Sequence, residues 1–207
     1  MASKAVSISR TLGARGEEVG QIVARELGFR YVDREIITTA AERAGVSPGE
    51  VAQTEVTQPL LIRILDAIAK APVEPEMQVI HAEHPVDLLT PYEDLIEQVI
   101  VETAQQGDVV IIAHGAGIPL AKVDGALRVL VTASEASRTE RIAEERSLDA
   151  KEAKRQVKES DKERERYFKR IYELNHELPT HYDLVVNTDE LTKDQAAGII
   201  VSAAKLT

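Results

Sequence analysis

Val109-Val110-Ile111-Ile112-Ala113 is an unbroken apolar run, opened by the turn signal Gly107-Asp108. A strand with one wet face alternates apolar and polar residues, so a continuous run marks a strand buried on both faces. Leu127 to Val131 reads as another strand, Leu184-Val185-Val186 as a shorter one, and Ala5-Val6-Ser7-Ile8 as the first. Between them lie helical patterns. Val19, Ile22, Val23 and Leu27 recur at helical spacing, Ser134 caps a helix over 135–146, and Thr192 precedes the last helix. Ser47-Pro48 opens a helix near 48–53. Buried strands separated by helices predict an α/β fold, a parallel sheet with helices on both faces.

Composition narrows the function. At 207 residues and 43% hydrophobic, the chain suits one domain with a real core, even at a net charge of −10. With no cysteine there are no disulfides, thiolate metal sites or cysteine nucleophiles. No apolar run approaches the roughly 20 residues that span a bilayer, and the N-terminus lacks a signal peptide's apolar stretch. A cytoplasmic protein is expected. The acidic balance argues against nucleic acid as a partner. Yet residues 135–176 hold 12 of the 25 basic residues against 11 acids. Cations concentrated locally in an acidic protein suit a small anionic ligand, although a solvated charged helix gives the same composition.

Two segments interrupt the alternation. Residues 71–91 carry four of the eight prolines and read as a loop, preceded by an amphipathic helix through Leu60, Leu61, Ile64, Leu65 and Ile68. Residues 149–172 are almost uniformly polar. There Lys151, Arg155, Lys158, Lys162 and Arg166 form a cationic stripe along one side of a helix. Both segments are expected to be mobile inserts on one α/β core.

The first strand runs through Ser9, Arg10, Thr11, Leu12, Gly13, Ala14, Arg15 and Gly16 into Glu17-Glu18 and a helix. A strand, glycine-bearing loop and helix start make a phosphate cradle, because backbone N–H groups and the helix's positive end face the anion. A full Walker loop also needs Lys and Ser/Thr. Here Gly16 takes the lysine place and Glu17 the hydroxyl place. Acids there complement the helix dipole, but each repels a phosphate by about 3 kcal/mol at ~5 Å and an effective dielectric of ~20. Arg10, Arg15 or a Mg²⁺ ion on Glu17 could offset this.

Several segments in order resemble the cytidylate kinase-like family. They are Ile8-Ser9-Arg10 with Gly13, Gly16 and Glu18; Ala24 to Phe29; Tyr31 to Ile37; and Ala40-Ala41-Glu42 with Gly45. Val110 to Ala116, Leu130 to Ser134, Arg138 with Arg141, Asp161 to Arg164 and Tyr182 to Thr188 complete the set. The resemblance implies a P-loop kinase-like three-layer fold, with a five-stranded parallel sheet, over a single domain of residues 1–207. It assigns 46–95 to a helical monophosphate-binding insert and 147–175 to a lid. It implies ATP or another NTP with Mg²⁺ as phosphoryl donor. The lid cations Arg155, Lys158, Lys162, Arg164 and Arg166 would close over the transferring group, with Asp161 orienting an arginine. Asp33, Arg34 and His114 fall at acceptor-binding positions.

Departures from the family pattern are specific. Where the branch commonly carries Gly-Ser-Gly-Gly-Arg-Glu, the chain has Gly13-Ala14-Arg15-Gly16-Glu17-Glu18. Ala113-His114-Gly115 replaces a Gly-Arg-Gly whose arginine would contact the monophosphate. Asp33-Arg34-Glu35 replaces the Asp-Ser/Thr-Gly that helps hold cytosine, so base specificity does not carry over. His81-Ala82-Glu83-His84 lacks the helical spacing of a zinc motif and reads as a surface loop, and His176 and His181 flank Pro179 without an assigned role. The sequence thus predicts a phosphotransferase acting on a nucleoside monophosphate or related acceptor with a degenerate phosphate loop. The alternative is a P-loop pseudokinase, a nucleotide- or anion-binding regulatory module.

Overall fold

A computed structural model describes residues 3–33, 35–43, 90–113 and 115–206. In chain order these form β1 (Ala5–Arg10), α1 (Gly16–Leu27), β2 (Arg30–Val32), α2 (Glu35–Arg43), α3 (Thr90–Gln106), β3 (Val109–Ile112), β4 (Ala126–Thr132), α4 (Glu135–Arg146), α5 (Ala150–Ile171), β5 (Leu184–Asn187) and α6 (Lys193–Leu206). The five strands make one parallel sheet in the order β2-β3-β1-β4-β5. Ile8 stands between Ile112 and Val129 in register, so β1 is central and its outgoing loop leaves from the middle of the sheet's carboxyl edge. Ligand crevices of such sheets open at that edge.

One sheet face and two helices share the main core. Val6, Ile8, Val110, Ile112, Val129 and Val131 pack with Val19 and Val23 of α1 and with Ala197 and Ile200 of α6. Ser7 and Ile111 on the opposite face are equally inaccessible, which is why β3 needs an unbroken apolar run. β4 differs from the continuous strand expected of it. Leu127, Val129 and Val131 are buried, but the alternate positions are only half-buried, and Arg128 makes a bidentate pair with Asp183.

The helix starts follow their caps. Ser134 Oγ accepts the Ser137 N–H at 3.2 Å, and Thr192 Oγ1 accepts the Gln195 N–H at 3.2 Å while Gln195 answers the Thr192 N–H. Asp149 caps α5 by accepting the Glu152 N–H at 2.9 Å.

The segment expected as a lid is mostly helical. α5 is one 22-residue helix whose Ala153 and Val157 pack with Ile142 of α4 and with Leu12. With Tyr167, Phe168 and Ile171 also buried, these residues are enough to seat a helix that is otherwise charged. Residues 34–99 form a second compact unit, in which Ile36 and Ala40, one turn apart on α2, are buried. The helices expected near 48–53 and 60–68 lie outside the described residues, as do His81 to His84 and most of the 46–95 insert. Of the proline-rich loop expected over 71–91, residues 71–89 lie outside the described residues, and Thr90 and Pro91 belong instead to the first turn of α3.

Candidate functional site

The loop from Thr11 to Arg15 joins β1 to α1 and is held from beneath by side chains of three elements. Arg164 of α5 donates to the Arg10 carbonyl at 2.9 Å. Arg138 of α4 reaches the Leu12 carbonyl at 3.4 Å, and Arg141 reaches the Gly13 carbonyl at 3.2 Å. Thr188, after β5, donates to the Ala14 carbonyl at 3.0 Å, and Arg141 also bonds the Thr188 carbonyl. In a trans peptide the N–H points opposite the C=O, so pinning the Leu12 and Ala14 carbonyls turns the Gly13 and Arg15 N–H groups the other way. The first turn of α1 has no side-chain cap, so its N–H groups are not satisfied by the N-cap side chain.

The two loop glycines permit this closeness. At Gly13, φ is +80° and a Cβ would stand 2.8 Å from the Arg138 carbonyl oxygen. A Cβ at Gly16 would fall 2.4 Å from that of Arg10. Arg15 sits at φ 63° without being glycine, a left-handed conformation that costs a non-glycine residue about 1–2 kcal/mol.

Charge around the loop is paired. Glu17 accepts the Arg10 Nε–H at 2.6 Å, and Lys193 Nζ bonds Glu18 at 2.9 Å. Arg15, 41% exposed, has a 4.0 Å contact with Glu18. A cleft of about 750 Å³ opens over this region, lined by Arg15, Arg141, Arg146 and Lys193 and by Glu17, Glu18, Glu144 and Glu145. A smaller cavity of about 300 Å³ lies at Thr11, Arg138, Asp161, Arg164, Phe168, His176 and Glu177.

The structure divides the residues expected on the lid. Asp161 receives both arms of Arg138 at 2.8 Å, so the arginine it orients is Arg138. Arg164 is 7% exposed, stacks 5.0 Å over Phe168, and bonds Ser9 Oγ and both oxygens of Glu177. Glu177 in turn accepts the Tyr182 hydroxyl. Burial, reinforced by the Glu177 charge, pushes the Tyr182 phenol well above the ordinary tyrosine range.

The stripe itself is elsewhere. The inward row is Ala153, Val157, Asp161, Arg164 and Phe168, and Lys158 and Lys162 follow it by one residue, about 100° around the helix. Arg155 is 57% exposed and bonded to Glu152 and Glu159 on its own helix, which holds the Glu152 carboxyl down at about 2. Lys158 comes only within 4.0 Å of Glu135, and Lys162 and Arg166 are exposed. Within this stripe Arg155 is paired inside its own helix, while the acid nearest Lys158 is Glu135 of α4.

Two loop residues also turn inward. Ser9 Oγ is buried between the Gly115 N–H and Arg164, and Ala14 is fully buried, so neither side chain faces the cleft. The Tyr31 phenol is pushed up by burial and then by the charges of Asp33 and Glu17. Arg34 and His114 lie outside the described residues. Arg141, Thr188, Glu177 and Lys193 were not singled out from the sequence as site residues; only the Arg138-x-x-Arg141 spacing hinted at two of the loop's anchors.

Known proteins share this fold. The family described as "Cytidylate kinase-like family" matches residues 5–190. A cytidylate kinase of Methanopyrus kandleri is 30% identical over 110 residues, a match spanning 49% of this chain and 57% of that enzyme. An uncharacterized protein from Eubacterium ventriosum superposes over 97% of each chain with a TM-score of 0.65 at 17% identity. Shikimate kinase from Bacteroides thetaiotaomicron superposes at a TM-score of 0.51 and 14% identity, covering 98% of this chain and 96% of its own. These likenesses carry the P-loop kinase-like α/β fold. With the match to residues 5–190, the chain belongs to the cytidylate kinase-like family.

Proposed function

We propose that the chain is an NTP-dependent phosphotransferase whose acceptor is a nucleoside monophosphate or a related phosphate-bearing molecule. The observation that carries this is the loop between β1 and α1, with the carbonyls of Arg10, Leu12, Gly13 and Ala14 all bonded from beneath. A loop so anchored presents N–H groups without reorganising when an anion arrives, which is what phosphoryl transfer asks of a protein. Arg15 stands in for the absent lysine, and Arg164 and Arg138 supply charge at the smaller cavity. The chain acts as one P-loop kinase-like domain with 46–95 as acceptor insert and 147–175 as lid. Its partners are small nucleotides, not nucleic acid or membranes; among the described residues no helix is long and apolar enough to cross a membrane.

Mg²⁺ is usually held by one or two carboxylates together with substrate phosphates and water. Among the described residues no cluster of three acidic or histidine side chains converges, but Glu17 offers one carboxylate at the cleft. The residues therefore fit an ion shared with a bound triphosphate, with Glu17 as its protein ligand. When bound, that ion would neutralise phosphate charge.

A second reading has its own support. Glu17 occupies the hydroxyl place and is bonded to Arg10, which favours a pseudokinase that binds nucleotide without turning it over. A coupled ADP-release assay with CMP, UMP, dCMP and AMP separates the two. Acceptor-dependent turnover is the expected result. Saturable nucleotide binding with no turnover on any acceptor would favour the regulatory module.

A further inference from the structure

The guanidinium of Arg164 is used on two sides. Nη1 and Nη2 bond the Arg10 carbonyl and Ser9 Oγ, both within β1, and cannot let go without disturbing the strand. Nε and Nη2 grip the two carboxylate oxygens of Glu177 at 2.7 and 2.5 Å. That second edge suits carboxylate and phosphoryl oxygens alike, since both accept two parallel N–H bonds. It faces the cavity of about 300 Å³.

Glu177 comes from a different kind of structure than the strand. The connector from Tyr172 to Leu178 has no helix or strand, holds Glu173 in the left-handed region at φ 53°, and ends at Pro179. Its Leu178 is 49% exposed. The cavity lining holds Arg138 and Arg164 against Asp161, Glu165 and Glu177, two cations facing three acids. Asp161 is committed to Arg138. An entering anion therefore meets a net negative cavity until Glu177 leaves.

We infer that Glu177 is a built-in counter-ion occupying the anion-binding edge of Arg164, steadied by the Tyr182 hydroxyl, and that a phosphoryl-bearing ligand must displace it to engage Arg164. The ligand class rests on the phosphotransferase reading; the competition does not. A carboxylate in this place keeps a buried guanidinium satisfied when no ligand is bound and sets a threshold that only a polyanion overcomes.

The test is calorimetric titration of inorganic tripolyphosphate, and separately of ATP, into wild type, Glu177→Gln and Tyr182→Phe, with folding checked by circular dichroism. Glu177→Gln keeps the shape and removes the charge, so tripolyphosphate should bind on the order of tenfold tighter or more. Tyr182→Phe loosens the carboxylate and should gain about twofold to fivefold. A purely structural role for Glu177 lowers the melting temperature and leaves anion affinity equal or weaker, and that result with folded protein overturns the inference. If Glu177→Gln does not fold, Tyr182→Phe decides by the same criterion. No tripolyphosphate binding to any of the three also overturns it. A gain in tripolyphosphate affinity with no turnover in wild type supports the counter-ion and rejects the phosphotransferase, whereas turnover without the gain does the reverse.

Discussion

Glu17 accepts the Nε–H of Arg10 at 2.6 Å, closing an ion pair between the end of β1 and the first turn of α1. The pair explains how a carboxylate is tolerated where a phosphate loop normally carries a hydroxyl. Arg10 supplies the compensating charge from the strand side, and Gly16 lets the helix start approach the Arg10 side-chain stem closely enough for the bond to form.

Replacing Glu17 with Gln should release Arg10 to the cleft and remove one repulsive charge. In EDTA, ATP is expected to bind about tenfold tighter, a discounted share of the ~3 kcal/mol for an unscreened pair at this range. With Mg²⁺ present the gain should shrink, because the lost carboxylate is also the proposed ligand of the ion. Equal affinity of both proteins under both conditions would remove Glu17 from the site.

Asp161→Ala leaves the Arg138 guanidinium, 8% exposed, without its bidentate partner. Breaking a fully buried pair costs roughly 3–5 kcal/mol; because Asp161 is about one-third exposed, about 2 kcal/mol is expected here. Urea unfolding should show a lowered midpoint at an unchanged slope. A change within 0.5 kcal/mol, the size of a surface pair, would mean the bidentate contact is not maintained in solution.

The charged residues of α5 should separate by face. Arg155→Ala, at an exposed intrahelical pair, should leave stability nearly unchanged and alter turnover by less than about twofold. Arg164→Lys keeps a charge but loses the fork, and is expected to lower kcat/KM by about 10²-fold. The ADP-release assay on both variants checks this. A larger loss from Arg155→Ala than from Arg164→Lys would return catalysis to the outer stripe.

Much of the scaffold was legible because it depends on local pattern. Val109 to Ile112 could be nothing but a buried strand, and Ser134 and Thr192 cap the helices they precede. The site was less legible because its contacts join residues far apart in sequence. Arg164 and Ser9 are 155 positions apart, and Arg141 and Gly13 are 128. The cationic spacing of α5 was real, but periodicity alone does not say which row of a helix faces inward. The apolar residues Ala153, Val157, Tyr167, Phe168 and Ile171 decide that, and they are outnumbered by the charges around them. Glu177 had no signal at all.

Arg128 holds the Asp183 carboxyl below the usual carboxylate range through its side-chain hydrogen bonds, against a smaller opposing effect of burial. A depressed folded value means the pair's contribution is complete above the unfolded aspartate value near 4 and is lost as pH falls through the folded value. Asp183→Asn should therefore lower the melting temperature by about 2–4 °C at neutral pH, the equivalent of roughly 1 kcal/mol. The gap should hold down to about pH 5 and narrow below about pH 4. Thermal scans at pH 7 and pH 3 check it, and an equal gap at both would contradict the assignment.

Arg15 is the residue on which the phosphate-binding reading turns. It holds a left-handed backbone that glycine would adopt without penalty, and its side chain lines the larger cleft. A non-glycine residue at such a position is strain that function can justify. The most direct measurement is calorimetric titration of ATP with Mg²⁺ into wild type and Arg15→Gly, with thermal unfolding of both. Wild type is expected to bind saturably. Arg15→Gly should be more stable by about 0.5–1 kcal/mol through relief of the backbone and yet bind ATP about 10- to 100-fold more weakly. Equal ATP affinity in the two proteins, or no ATP binding by wild type, would contradict it.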